Sequence, residues 1–181
     1  MTSDPLAARL AADLDGAFPD MVRQVSSGLY SGALRMLGNA RDAEEVAQDA
    51  LVRAYRALRE YPEDRIRELR LRGWVWTIAA NLCRNRLRSR ARRPQRSLEG
   101  IDTADAGRGP ESETLSSETR SELAVLLLDL PWETRSAIVL KHVVGLSYAE
   151  IADALDRPSG TVRSDVSRGL ARLRTALEEE R

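Results

Sequence analysis

Apolar residues recur at helical spacing through most of this chain, and no segment sustains the strict alternation of apolar and polar residues that marks a β-strand. The pattern therefore predicts an all-α protein. Long helices are predicted for residues 20–37, 42–60 and 73–93, with Gly38 ending the first and a short helical turn between the second and the third.

A polar segment separates these helices from a second helical group. Residues 94–116 are rich in Gly, Pro, Ser, Thr and acidic residues and carry no periodicity, which is typical of a flexible linker. Helices are predicted after it at 118–130 and 132–144, followed by a helical pair. The chain is thus predicted to form two small helical domains joined by a flexible linker. The predicted division is an N-terminal tail at 1–19, a first domain at 20–93, the linker at 94–116 and a second domain at 117–177.

The helical pair near the end of the chain has the pattern of a helix-turn-helix. Ser147 and Glu150 have the spacing of a capping box, and Pro158 and Gly160 punctuate a turn before a helix that starts at about Thr161. The predicted buried stripe of that helix is Val162, Val166, Leu170, Leu173 and Leu177. The side chains off this stripe are free to enter a DNA major groove, although the pattern alone fits a solvated helical hairpin equally well.

Charge is balanced overall but segregated along the chain. The 181 residues include 28 basic and 28 acidic residues, so a general attraction to nucleic acid is not expected. Seven arginines and no acidic residue lie within residues 84–96, whereas seven acidic and two basic residues lie within 102–129. Any binding to nucleic acid must therefore come from local patches.

Several classes of function are disfavoured by the residues present. Cys83 is the only cysteine and His142 the only histidine, which together cannot supply a zinc site, and Cys83 is predicted to be a buried, inert thiol. No catalytic arrangement, metal, cofactor or small-molecule substrate is predicted. No signal-peptide pattern or membrane-spanning apolar run is present, so a soluble, cytoplasmic protein without membrane insertion is expected.

Two of the first-domain helices carry distinctive polar faces. Asp42, Glu45 and Asp49 recur at spacings of three and four on the second helix, with Gln48 alongside. This face fits either an ordinary solvated helix or a docking surface for a basic partner.

The third helix combines aromatic, amide and guanidinium groups. Because Trp74 and Trp76 are two residues apart, they cannot share one buried stripe, and at least one should be partly accessible. The polar face that follows consists of Asn81, Arg84, Asn85 and Arg88. Amides can read base edges, guanidinium groups hold phosphates, and exposed aromatic rings stack on unpaired bases. Each feature taken singly also fits core tryptophans and solvated arginines.

Three segments of the chain carry a family resemblance. In order, they are RDAEEVAQDALVRAYRAL, RGWVWTIAANLCRNRLR and LPWETRSAIVLKHVVGLSYAEIADALDRPSGTVRSDVSRGLARLR, with the polar linker before the last. Together they resemble the extracytoplasmic-function sigma factors of bacteria, the smallest members of the sigma-70 family. The resemblance covers residues 20–93 and 117–177, which is nearly everything except the N-terminal tail and the linker.

The resemblance implies a dissociable subunit of bacterial RNA polymerase that directs promoter recognition, promoter opening and transcription initiation. The first domain, sigma region 2, would bind the beta-prime clamp of the core enzyme and open the minus-ten element. The second domain, sigma region 4, would bind the beta flap and read the minus-thirty-five element of promoter DNA. Because free members of the family are mostly held by a partner wedged between the two domains, an anti-sigma factor is an expected further partner.

The resemblance also assigns site residues. Polymerase docking is carried over to Asp42, Glu45, Gln48 and Asp49. Minus-ten contacts are carried over to Asn81, Arg84 and Asn85, with Trp74 and Trp76 in the aromatic strand-melting segment and Arg88 extending the face. Minus-thirty-five contacts are carried over to Arg163, Ser164, Ser167 and Arg168, with Arg172 one turn further along as a phosphate contact.

The chain departs from the family pattern at two places. Asp165 stands where relatives often have a basic residue, so Asp165→Arg is expected to raise affinity for DNA. The segment PEDRIRELRLRGW lacks the short Gly-Asp loop with which many relatives capture an unstacked minus-ten base. The residue that holds that base is therefore not identified by the resemblance.

Two other classes of protein are weighed against this one. A conventional helix-turn-helix regulator would bind a palindromic operator as a dimer without polymerase, but it leaves the polar faces of the first domain unexplained. A helical adaptor without a DNA role is the third hypothesis. It would be favoured if variants lacking the arginines retained full promoter activity.

Overall fold

The computed structural model describes residues 4–92 and 117–179, and the regular structure within these ranges is entirely helical. This confirms the all-α class. The helices are α1 Pro5–Ala12, α2 Leu14–Leu37, α3 Ala40–Glu60, α4 Glu63–Arg67, α5 Leu71–Arg92, α6 Ser117–Leu128, α7 Trp132–His142, α8 Tyr148–Leu155 and α9 Ser159–Glu179. The linker predicted for residues 94–116 lies outside the described residues.

The N-terminal region contains a helix that the apolar pattern did not reveal. Asp4 caps α1 by accepting a hydrogen bond from the backbone N–H of Leu6, and Asp13 caps α2 by accepting one from Gly16. Leu6 and Leu10 of α1 are buried, and the helix packs on α2 and α4. Residues 4–19 of the region named a tail are therefore part of the first helical group, and α2 begins six residues before the predicted start.

The first helical group is built around a small-residue stripe on α3. Ala43, Ala50 and Ala54 have no exposed surface, and together with Val46 and Leu58 they form part of the buried face of the helix. Small side chains let α2 and α5 approach α3 closely. The large side chains Met21, Leu29 and Met36 of α2 then fill the core.

The second helical group packs α9 across α7 and α8. The capping box predicted from Ser147 and Glu150 is present at the start of α8. The predicted buried stripe of α9 is wrong at Leu170, which is 37% exposed, whereas Gly169 is buried. Eight residues at 3.6 per turn rotate Leu170 about 80° away from Val162, but seven residues return Gly169 to the same face.

Gly169 also explains how closely α9 approaches α7. A Cβ atom at this position would lie 2.5 Å from Ile138 Cδ1 and 2.5 Å from Thr134 Cγ2. The stripe therefore continues through Val162, Val166, Gly169 and Leu173, at spacings of four, three and four.

The two helical groups pack against each other in this structure. α5 contacts α8, and one cluster of buried apolar side chains continues from α2 and α5 into α7 and α8. The Arg72 guanidinium donates to the backbone carbonyl of Val144, and Arg84 Nη2 donates to that of Leu155 at 3.5 Å. A Cβ atom at Gly73 would lie 3.1 Å from Cβ of Glu150, so the Glu150 side chain of α8 packs directly on the backbone of α5.

The environment of Cys83 predicts low reactivity. Its side chain has no exposed surface, and burial raises the pKa of its thiol to about 12 from an ordinary value of 9.0. At pH 8 the thiolate, which is the reactive species, is therefore about 1,000-fold less populated than in the unfolded chain. We expect a disulfide reagent such as Ellman's reagent to label the native protein at least 100-fold more slowly than the protein in denaturant.

Cys83→Ala provides the background for this measurement. Equal labelling rates for native and denatured wild-type protein would show that Cys83 is not buried in solution.

Candidate nucleic-acid interface

The accessible face of α5 contains four of the six residues predicted to contact the minus-ten element. Asn81, Asn85 and Arg88 are exposed and Trp74 is half-buried. Together with the half-buried Ile78 they recur at spacings of four, three, four and three, so they form one continuous stripe along the helix. The stripe presents, in order, an aromatic ring, two amides and a guanidinium group.

The other two predicted residues, Trp76 and Arg84, lie toward the second helical group. Trp76 is only 3% exposed, and a Cβ atom on Gly32 would lie 2.5 Å from its Cη2. Two residues rotate a helical side chain by about 200°, so Trp76 points away from Trp74 and into the core. Trp76, which the resemblance placed among the minus-ten contacts, is therefore a buried residue in this structure, and Trp74 is the partly accessible member of the pair that the spacing required. Arg84 donates to the Leu155 carbonyl.

An aromatic and cationic cluster extends the α5 stripe at its N-terminal end. The rings of Tyr61 and Trp74 lie 6.0 Å apart between centroids at an interplanar angle of 59°, and the Arg65 guanidinium lies 3.6 Å from the centroid of Tyr61. The sequence pattern had nominated neither Tyr61 nor Arg65. A usable signal was present, because both belong to the α3–α5 connection that lacks the expected base-capturing loop.

The acidic face of α3 is divided by its partners on α5. Asp42 forms ion pairs with Arg90 and with Arg86, the latter at 3.6 Å, while Glu45 accepts from Arg86 Nη2 at 2.6 Å. The hydrogen bond from Arg86 holds the pKa of Glu45 below its usual range. Two of the four predicted docking residues thus join α3 to α5 inside the first helical group.

Gln48 and Asp49 are both exposed. Gln48 Nε2 donates to Glu44 Oε1 at 3.3 Å, one turn away on the same helix. Of the four predicted docking residues, Gln48 and Asp49 are therefore the two that lie on the exposed surface of α3.

The exposed face of α9 contains all five predicted minus-thirty-five residues. They are Arg163, Ser164, Ser167, Arg168 and Arg172. The Arg163 guanidinium lies 4.6 Å from the centroid of the Tyr148 ring on α8, so part of its apolar surface is covered. Their contact with DNA stays a prediction, but their exposure is what a reading helix requires.

Asp165 lies in α9 but not on its exposed face. Only 5% of the residue is exposed, and its carboxylate pairs with Arg157 and, at 2.8 Å, with Arg168 Nη2. This environment does not favour the expectation that Asp165→Arg raises affinity, because the substitution would place a third guanidinium against those of Arg157 and Arg168.

No group of three or more His, Cys, Asp or Glu residues is placed to hold a metal ion among residues 4–92 and 117–179. None of the helices in that part of the chain is long and apolar enough to cross a membrane.

Comparison with known sequences gives matches to both helical groups. Residues 21–93 match Sigma-70 region 2, and residues 120–173 match Sigma-70, region 4. The chain is 34% identical over 175 residues to the ECF RNA polymerase sigma factor SigW of Bacillus subtilis, covering 90% of each protein. It is also 34% identical over 164 residues to the ECF RNA polymerase sigma factor SigE of Mycolicibacterium smegmatis, covering 89% of this chain and 62% of that one.

Two solved structures are similar to this one in fold. CnrH in complex with the cytosolic domain of CnrY superimposes with a TM-score of 0.71 and 25% identity, covering 97% of each chain. The sigma factor RpoE in complex with the anti-sigma factor NepR from Bartonella quintana has a TM-score of 0.72 and 26% identity, covering 91% of this chain and 98% of that one.

The division of the acidic face predicts different costs for two similar substitutions on α3. Asp42→Asn removes charge from a half-buried carboxylate that binds two arginines, and we expect it to lower the free energy of unfolding by about 1–3 kcal/mol. Asp49→Asn, the matched control at an exposed site, should change it by less than about 0.5 kcal/mol. Urea denaturation followed by circular dichroism measures both, and equal effects would contradict the division.

Proposed function

This chain belongs to the extracytoplasmic-function sigma factors of the sigma-70 family, and we propose that it uses α3 to dock on core RNA polymerase, α5 to bind the minus-ten element and α9 to read the minus-thirty-five element. It is a polymerase-binding subunit that directs promoter recognition and transcription initiation. The observation that carries this conclusion is the presence of both sigma regions, in order, on one chain. A dimeric helix-turn-helix regulator is not favoured, because it does not account for region 2 at residues 21–93.

The stripe on α5 supports the minus-ten assignment. Asn81 and Asn85 offer amides of the kind that read base edges, and Arg88 offers a cation for phosphate. Trp74, with Tyr61 beside it, offers an aromatic surface on which an unpaired base can stack.

The packing of α5 on α8 supports a conformational step before promoter binding. Elements centred 10 and 35 base pairs upstream are separated by about 25 base pairs, or about 85 Å at a rise of 3.4 Å per base pair. Two helices in direct contact cannot reach both elements of one duplex. We therefore propose that docking on polymerase separates α5 from α8, with the segment between Arg92 and Ser117 spanning the gap.

The balanced charge of the chain fits this dependence on polymerase. A protein with 28 basic and 28 acidic residues neutralises few phosphates by itself and should bind a promoter weakly when free. Once both domains are held on one polymerase, each raises the effective concentration of the other at its element.

An anti-sigma factor is the proposed inhibitory partner. Both similar structures are complexes, one with the cytosolic domain of CnrY and one with the anti-sigma factor NepR. In this chain, separation of α5 from α8 would expose apolar side chains that include Trp76 and Val144. These side chains are suitable anchors for an apolar segment of such a partner.

The docking assignment predicts a charge effect at Asp49, near the middle of α3, that is absent at the C-terminal end of the helix. Asp49→Lys should weaken binding to core polymerase at least 10-fold, because it reverses an exposed charge within the proposed contact surface. Glu60→Lys is the matched control, with the same charge change at an exposed site three turns away on the same helix. Fluorescence anisotropy of labelled sigma titrated with core measures both, and equal affinities would remove α3 from the docking surface.

The separation step predicts that a crosslink between α5 and α8 is inhibitory. Gly73→Cys with Glu150→Cys, in a Cys83→Ala background, places two Cβ atoms close enough for a disulfide after a small adjustment. The oxidised holoenzyme should lose at least 10-fold in transcription from a promoter with both elements, and reductant should restore it. The reduced form is the internal control for folding, and full activity of the crosslinked protein would refute the separation step.

A further inference from the structure

Asp165 is a buried carboxylate in α9, although the neighbouring polar side chains of this helix are exposed to solvent. The residue is 5% exposed, whereas Ser164, Ser167 and Arg168 beside it are exposed. A buried carboxylate is tolerated only when it is paired and hydrogen-bonded. Its two partners therefore determine what it does.

The two oxygens of this carboxylate bind arginines from different places. Oδ2 pairs with the guanidinium of Arg157, which lies in the turn between α8 and α9 and is mostly buried. Oδ1 accepts from Nη2 of Arg168 at 2.8 Å, and the Arg168 side chain remains 73% exposed. One buried group thus connects the turn to an exposed arginine of the reading face.

This contact leaves most N–H donors of the Arg168 guanidinium group available. A guanidinium carries five N–H donors in one plane, and the contact with Oδ1 uses one side of Nη2. The remaining donors include pairs that match O6 and N7 of guanine. A free arginine loses considerable side-chain entropy when it is fixed on a base, and a guanidinium that is already held loses less.

The contact also reduces the net charge near Arg168. A cation beside a carboxylate attracts phosphate less strongly than a free cation, while its directional hydrogen bonds to a base edge are retained. The arrangement therefore favours base reading over general attraction to the DNA backbone. Arg172, one turn further along α9, is exposed and suits the phosphate role.

We propose that Asp165 is a positioning residue that holds Arg168 for reading one guanine of the minus-thirty-five element, while its pair with Arg157 stabilises the turn between α8 and α9. The inference rests on the proposed function, since it assumes that α9 reads the promoter. It reverses the meaning that the family pattern suggested for Asp165, from a lost phosphate contact to a determinant of base preference.

The main experiment measures base preference in reconstituted holoenzyme. Transcription from a promoter library randomised in the minus-thirty-five element is compared for full-length wild type, Arg168→Ala, Asp165→Asn and the double variant. Arg168→Ala should reduce the preference for one guanine about 10-fold. Asp165→Asn should reduce preference at the same position at least threefold, and the double variant should match Arg168→Ala alone.

Arg157→Ala separates positioning from a purely structural role. It removes the pair with the turn but leaves the Asp165–Arg168 contact, so it should lower thermal stability and keep the preference for that guanine. The inference would be overturned if Asp165→Asn kept full base preference at the position read by Arg168. It would also be overturned if this variant lowered transcription from all promoters of the library by the same factor.

A second measurement does not depend on the folding of Asp165→Asn. The logarithm of promoter affinity falls linearly with the logarithm of salt concentration. The magnitude of this slope should be unchanged by Arg168→Ala but reduced by about one by Arg172→Ala. Equal reductions would show that Arg168 acts as a phosphate contact and would overturn the inference. If wild-type holoenzyme showed no preference in this element, the proposed function of α9 would fail instead.

Discussion

The contact between Trp76 and Gly32 sets the geometry on which most of this structure depends. The indole of Trp76 occupies space that any side chain at position 32 would fill, and Val144 of the second helical group closes the same space. A large ring buried on one side of α5 fixes the rotation of that helix about its axis. Because the rotation is fixed, Trp74, Asn81, Asn85 and Arg88 face outward together.

Charged side chains complete this arrangement by joining elements that are distant in sequence. Arg86 and Arg90 of α5 pair with Asp42 and Glu45 of α3. In the second group, Arg135 is buried and donates from Nη1 to the Leu128 carbonyl at 2.7 Å, and burial lowers the pKa of this guanidinium. Although the totals of acidic and basic residues are equal, some of these residues form specific ion pairs inside the fold. Others lie on the surface, where they can contact partners.

Much of the fold was predictable from local pattern. The 3.6-residue period located the long helices, and the ends of α3 and α7 lie within about two residues of those predicted. The capping box at Ser147 was also correct. The errors arose where local pattern is weak. α1 is only eight residues long and alanine-rich, and the position of Leu170 depended on whether the stripe advanced by three or four residues.

The candidate site was predictable as a set of residues but not as a set of surfaces. The sequence by itself determined that α3, α5 and α9 carry polar faces, because helical period is a local property, and its three motifs in order carried the resemblance to the extracytoplasmic-function sigma factors. Only the tertiary structure decided that Trp76 is core, that Asp42 and Glu45 bind α5, and that Asp165 is buried beside Arg157. The physical reason is that a charge or an aromatic ring takes its role from the group it meets. For Glu45 and Arg86 that group lies 41 residues away, where no spacing rule reaches.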